Sequence, residues 1–122
     1  MERKYNSEEE FLKAYNPEDY DRLSLTVDIL LFSVSSENTE NYRKTDEKKM
    51  SILLVKRTDY PYKDKWCLPG GFLNPKTETL EECAKRILKS ETGLQNIYLE
   101  QLYTFDKIGR DPRMRVVSTS YI

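Results

Sequence analysis

The sequence predicts one α/β domain, and three observations carry that expectation. Several runs of large apolar and β-branched residues are separated by polar segments. A single amphipathic helical stretch lies between the second and third of them. A chain of 122 residues builds one small core and is short for two.

The elements follow in order. Residues 1–22 are polar and tyrosine-rich and read as an N-terminal arm. Within it, Glu8 to Tyr15 suits a short helix with Phe11, Leu12 and Tyr15 on one side, stopped by Asn16-Pro17. The main domain runs from 23 to 122. Leu23 to Val34 (LSLTVDILLFSV) reads as the first strand and Met50 to Val55 as the second, with the hydrophilic segment 35–49 as the loop between them. Asp28 interrupts the first strand, which marks either a site or edge, or a solvated strand face. Residues 97–105 and 113–122 read as further strands. The chain stops at Tyr121-Ile122, inside the last of these, so the domain is expected to be incomplete at its C-terminal end.

Thr79 followed by Glu82 has capping-box spacing, which starts a helix at Leu80, and Gly93 stops it. Leu80, Ala84, Ile87, Leu88 and Glu91 make one stripe, with Glu91 about 20° from Leu80 at 100° per residue. A carboxylate there needs Arg86 or a metal as partner, or must reach water at the helix end. Just upstream, Pro69-Gly70-Gly71 forces a sharp turn close to something, bracketed by Trp66, Leu68 and Phe72.

Composition excludes several chemistries. A formal net charge of -1 gives no global argument for nucleic-acid binding. The absence of histidine rules out a histidine-containing zinc site or a histidine-based triad within this chain. Any metal would be held by oxygen, which favours Mg²⁺, Mn²⁺ or Ca²⁺. Cys67 and Cys83 read as small buried hydrophobes. No apolar run is long enough to cross a bilayer and no signal-peptide pattern opens the sequence, so a cytoplasmic protein is expected.

Gly71, Glu78, Arg86, Leu88, Glu91, Gly93 and Leu94, behind LPGG, resemble the spaced signature of the Nudix family. The resemblance implies an α/β/α sandwich around a mixed β-sheet. It also implies Mg²⁺ or Mn²⁺ bound by acids of the box, with Glu91 and Glu78 the metal candidates and Glu91 and Arg86 the vestigial catalytic ones. Three departures stand out. Glu78 lies seven residues after Gly71, where the family has six. Ile87 and Ser90 occupy positions at which the family carries glutamates. Positions 87, 90 and 91 fall within about 100° of one helix end, so three expected acids become one acid, one hydroxyl and one hydrocarbon. Glu81, Glu82 and Asp28 are the neighbouring acids available as partial substitutes.

A wider resemblance covers EFLKAYNPEDYDRLSLTVDILLF, LLVKRTDYPYKDKWCLPGGF and YLEQLYTFDKIGRDPRMRVVSTSYI. These segments are similar to Nudix-related regulators of NAD metabolism and to ADP-ribose pyrophosphatases. That implies ADP-ribose or a related nucleotide as ligand, a homodimer, and DNA contact only through a C-terminal domain absent from this chain. Arg110, Arg113 and Arg115 suit bidentate phosphate contacts, with a polar hairpin tip as the other reading of Asp111-Pro112. Arg57, beside Lys56, sits near the same face or on plain surface. Gly70, Gly71 and Phe72 complete the expected ligand set, and Phe72 and Phe105 either stack on a base or pack in the core. Three functions follow: a ligand sensor, a Mg²⁺-dependent hydrolase, or a scaffold that binds no nucleotide.

Overall fold

The computed structural model describes residues 5–37 and 47–122. Helix α1 (Glu8–Ala14) opens the described chain, with the Ser7 side chain capping the Glu10 amide. A 3-10 turn at Pro17–Asp19 follows, and no residue of either element is buried. Phe11 packs only on its local neighbours Tyr5 and Tyr15 among the aromatic rings.

The first expected strand is two. β1 (Ser24–Ile29) and β2 (Phe32–Glu37) belong to different sheets, because the chain changes hydrogen-bonding partner at Leu30-Leu31. The Leu30 amide donates to Tyr121 O, whereas Leu31 O accepts from Leu53. The second expected strand divides likewise, into β3 (Glu47–Ile52) and β4 (Val55–Lys56). A continuous apolar run reports burial and is silent about which neighbour pairs with it. β2 and β3 also extend into the expected loop, pairing Ser35 with Lys49 and Ser36 with Lys48. Positions 38–46 of that loop lie outside the described residues.

β5 (Trp66–Cys67) pairs with β4, and β6 (Gly70–Phe72) runs antiparallel to β1. α2 (Leu80–Thr92) comes next, then β7 (Gln101–Phe105) and β8 (Val116–Tyr121). The main sheet has the order β6-β1-β8-β7, with β1 and β8 parallel and the outer pairs antiparallel. It is therefore mixed, as expected.

α2 begins and ends where its sequence dictates. Thr79 Oγ1 accepts the Glu82 amide at 3.2 Å, and Gly93 adopts φ 77°, with its amide on Lys89 O. Its buried residues Cys83, Ala84, Ile87 and Leu88 pack on Val27, Ile29 and Tyr121 of the sheet. Thr26, Asp28, Val116, Ser118 and Ser120 alternate onto the opposite face, where Ser118 Oγ donates to the Asp28 carboxylate at 2.5 Å. That polar face supports the candidate site.

Candidate functional site

The turn into β6 lies against β1 and α2. A Cβ on Gly70 would stand 2.7 Å from Val27 O and nearer still to an Asp28 oxygen, while one on Gly71 would stand 3.2 Å from Ile87 Cδ1. Only glycine permits the approach at position 70, where the neighbour is backbone, whereas at position 71 the end of the Ile87 side chain would have to give by a few tenths of an ångström. The closeness draws Asp28, Phe72 and the C-terminal end of α2 around one opening.

That opening is a cleft of about 540 Å³, within the usual range for small-molecule sites. Thr26, Asp28 and Val116 form its floor. One wall runs from Val55 to Asp59, including Lys56 and Arg57; the other is Gly70 to Phe72 with Glu91. Arg110, Asp111 and Arg113 close the remaining side from the loop before β8. The lining carries four basic and four acidic side chains, so recognition depends on placement and not on bulk positive charge.

The arginines are held in distinct ways. Arg113 Nε and Nη2 grip Asp111 at 3.0 and 2.8 Å, and the Arg113 amide donates to the same carboxylate at 2.9 Å. Those bonds from the Arg113 side chain, then its amide, hold Asp111 down at about 2, and they raise the Arg113 pKa in return. The guanidinium also lies 5.3 Å from the centre of the Phe72 ring, a cation–π distance. Arg110 Nη1 reaches Val116 O at 3.5 Å, and Arg57 Nε is fixed on Pro61 O at 2.6 Å. Both keep further guanidinium donors for an anion.

The box acids disperse. Glu91 is exposed and lines the cleft. Glu78 does not line it; its carboxylate takes Arg86 Nε at 2.9 Å, Arg86 Nη2 at 2.8 Å and the Asn74 amide at 2.8 Å. Arg86 first, then Asn74, lowers Glu78 to about 2, and Glu78 raises Arg86. Arg86 Nη2 further donates to Phe72 O at 3.0 Å, so Arg86 serves Glu78 and β6 instead of the expected partner Glu91. Its neighbour Cys83 is buried, and burial pushes its thiol pKa up; Cys67 is only half-buried and borders the cleft. Both thiols are free.

Ile87 is a core residue, and Ser90 is exposed. Glu81 pairs with Lys85, and the Glu82 carboxylate accepts from the hydroxyl of the N-cap Thr79, so neither joins the cleft. Among the described residues no three acids or thiols gather as a metal site. A two-ion cluster needs several carboxylates converging on one point. The donor set here does not fit one.

Of the expected ligand residues, the cleft brings together Arg57, Gly70, Gly71, Phe72, Arg110 and Arg113 with Glu91. Arg115 is not among its lining residues, and its carbonyl accepts the Ser24 amide. Phe105 packs on Tyr103 with ring centres 4.8 Å apart, away from the cleft. Sequence reasoning missed Thr26, Thr58, Asp59, Leu68 and Val116 as lining residues. Nothing local distinguishes them, since long-range pairing brings them together. Asp28 did carry a signal, as the lone acid of an apolar run.

A mixed sheet carrying a capped box helix under a glycine turn, with a polar cleft beside it, defines a Nudix-type domain. The chain belongs to the Nudix family: the NUDIX domain model matches residues 42–122. It is 37% identical over 118 residues to the ADPR responsive transcriptional repressor NtrR of Acinetobacter baylyi, covering 96% of this chain and 43% of that protein. It is 42% identical over 76 residues to the ADP-ribose pyrophosphatase of Methanocaldococcus jannaschii, covering 62% of this chain and 44% of that one. Among solved structures, the NUDIX domain of Shewanella oneidensis NrtR complexed with ADP ribose matches with a TM-score of 0.76 and 33% identity. That match covers 95% of this chain and 69% of the other. The chain spans less than half the length of the two curated relatives.

Proposed function

We propose that the cleft binds ADP-ribose or a related nucleoside-diphosphate derivative, and that the chain is the ligand-sensing domain of a bacterial transcriptional regulator. One observation carries this reading. The cleft keeps Arg57, Arg110 and Arg113 beside an aromatic wall, while box position 87 is built into the core. Arginine donors hold a pyrophosphate without a metal cluster. Cleavage is another matter, because removing one transition-state charge partner commonly costs ~10²–10³-fold in rate. The similarity to a repressor that is ADPR responsive and to a Nudix domain complexed with ADP ribose supports the same ligand class.

The remaining parts of the proposal follow from this role. The domain works in the cytoplasm as a homodimer, and any DNA contact is assigned to a C-terminal domain that is not in this chain. No helix among the described residues is long and apolar enough to cross a membrane.

Titration with ADP-ribose by calorimetry, with and without Mg²⁺, followed by product analysis, tests the proposal. Binding that does not require Mg²⁺, with product formed at trace rates or not at all, is the expected result. Mg²⁺-dependent turnover at ordinary enzyme rates would overturn it. A second reading, a Nudix hydrolase, has its own support in Glu91 and Asp28 lining one cleft. In that role the two carboxylates would hold a single Mg²⁺ or Mn²⁺ and not a two-ion cluster, and the ion would supply charge to polarise the pyrophosphate. Loss of all turnover in both Glu91→Gln and Asp28→Asn, with ADP-ribose affinity retained, would favour it.

A further inference from the structure

A second groove, of about 520 Å³, runs along the outer side of α2 and is separate from the ligand cleft. Leu88, Leu94 and Ile97 give it an apolar floor, and Lys85, Arg86 and Lys89 line its rim, with no acid among its lining residues. Lys85 has only an exposed partner, Glu81 at 3.1 Å, and Lys89 makes no ion pair among the described residues. Nothing from the N-terminal arm lines it.

The complementary surface is on the same chain. α1 opens with Glu8, Glu9 and Glu10, and it carries Phe11 and Leu12, exposed at 41% and 63%. A short helix with no buried residue has little reason to stay ordered alone. Glu9 has only an exposed partner, Lys13 at 3.2 Å, and Arg86 is held by Glu78, so the acids of α1 match Lys85 and Lys89 of the groove and its two apolar side chains match the groove's floor. We infer that α1 of one copy docks in the α2 groove of a second copy, and the reverse, in a closed two-fold exchange.

Such an exchange makes the contact twice per dimer and leaves no surface open for further growth. The mode is a helix laid in a groove, with Phe11 and Leu12 as anchors. Exposed ion pairs add little each, so the charges fix register and partner while the anchors supply most of the attraction. The inference gives a surface to the homodimer proposed above and does not depend on which ligand fills the cleft.

Sedimentation equilibrium from low to high micromolar protein tests it, with ADP-ribose calorimetry on every variant as a check of folding and of the cleft. Wild type is expected to dimerise. Lys85→Glu with Lys89→Glu should weaken the dimer about tenfold or more, as should Glu8→Lys with Glu9→Lys. Mixing these two variants restores both contacts, so a heterodimer of near wild-type strength is expected; one chain carrying all four reversals should likewise dimerise. ADP-ribose affinity should stay unchanged throughout, because none of the four positions lines the cleft. A monomeric wild type would overturn both the homodimer and this surface. A dimer indifferent to the reversals, or not rescued by mixing, would overturn the surface alone. Inorganic pyrophosphate binding at Lys85 and Lys89 of a monomeric wild type would make the groove a small-anion site and also end the inference.

Discussion

Two ion pairs of nearly identical geometry meet at Phe72 and do different things. In each, Nε and Nη2 of an arginine grip both oxygens of a carboxylate, Glu78 with Arg86 and Asp111 with Arg113. The acids are similarly covered, at 9% and 12% exposure, and both are held at about 2. The contrast lies in what else they hold. Glu78–Arg86 spans eight residues and fastens the Asn74 amide and the Phe72 carbonyl, tying β6, the box loop and α2 together. Asp111–Arg113 spans two residues and sets a guanidinium over the Phe72 ring inside the cleft. The family's signature arginine thus maintains the fold, and an arginine outside the signature faces the cleft.

The largest test of that division is Ile87→Glu, which restores a box acid by sequence. Ile87 is 4% exposed and packs among Val27, Ile29 and Leu88. An uncompensated charge there should cost about 3–5 kcal/mol in urea unfolding. Wild-type stability together with Mg²⁺ binding would show instead that position 87 still opens onto the cleft. Gly70→Ala comes next, at about 1–3 kcal/mol, because its Cβ meets a backbone carbonyl that cannot swing aside. A stability unchanged by that substitution would mean β1 and β6 are not as close as described.

Smaller, and more discriminating, is the pair Arg113→Met and Arg86→Met. Loss of one charged hydrogen-bond donor to phosphate should weaken ADP-ribose about tenfold in Arg113→Met, with little change in melting temperature. Arg86→Met should do the reverse, lowering the melting temperature with affinity nearly intact. If calorimetry finds the larger affinity loss in Arg86→Met, the assignment of the two pairs is inverted.

How far the sequence could reveal this follows from the same residues. Helix α2 was legible from Leu80 to Gly93, because its cap, stripe and stop are local. The resemblance to the Nudix signature carried the family, and the mixed sheet agrees with it. The strand divisions at Leu30-Leu31 and Leu53-Leu54 were hidden, since they depend on partners distant in sequence. Glu91 and Glu78 read alike as signature acids, yet one lines the cleft and the other is wrapped by Arg86. No spacing rule separates them, because what each carboxylate meets depends on the folded path of the chain. Asp111 read as a turn former, and only the distances reveal it as Arg113's partner.

The smallest expected effect is on acid stability, and it separates the two pairs by their span. Glu78 is lowered from 4.5, and Asp111 from 3.8, each to about 2. A carboxyl with a lowered folded-state pKa contributes fully above its unfolded value, and that contribution is lost as pH falls through the folded one. The melting temperature should therefore be governed by these groups between about pH 4.5 and 2, with no slope from them near neutrality. The chain has no histidine to add one. Glu78 and Arg86 part on unfolding, whereas Asp111 and Arg113, two residues apart, stay neighbours in the unfolded chain and retain part of their attraction. Arg86→Met should therefore flatten the acid limb of the melting curve more than Arg113→Met does. Equal flattening would mean that span is irrelevant, and that the Glu78 pair is as local in its effect as the pair in the cleft.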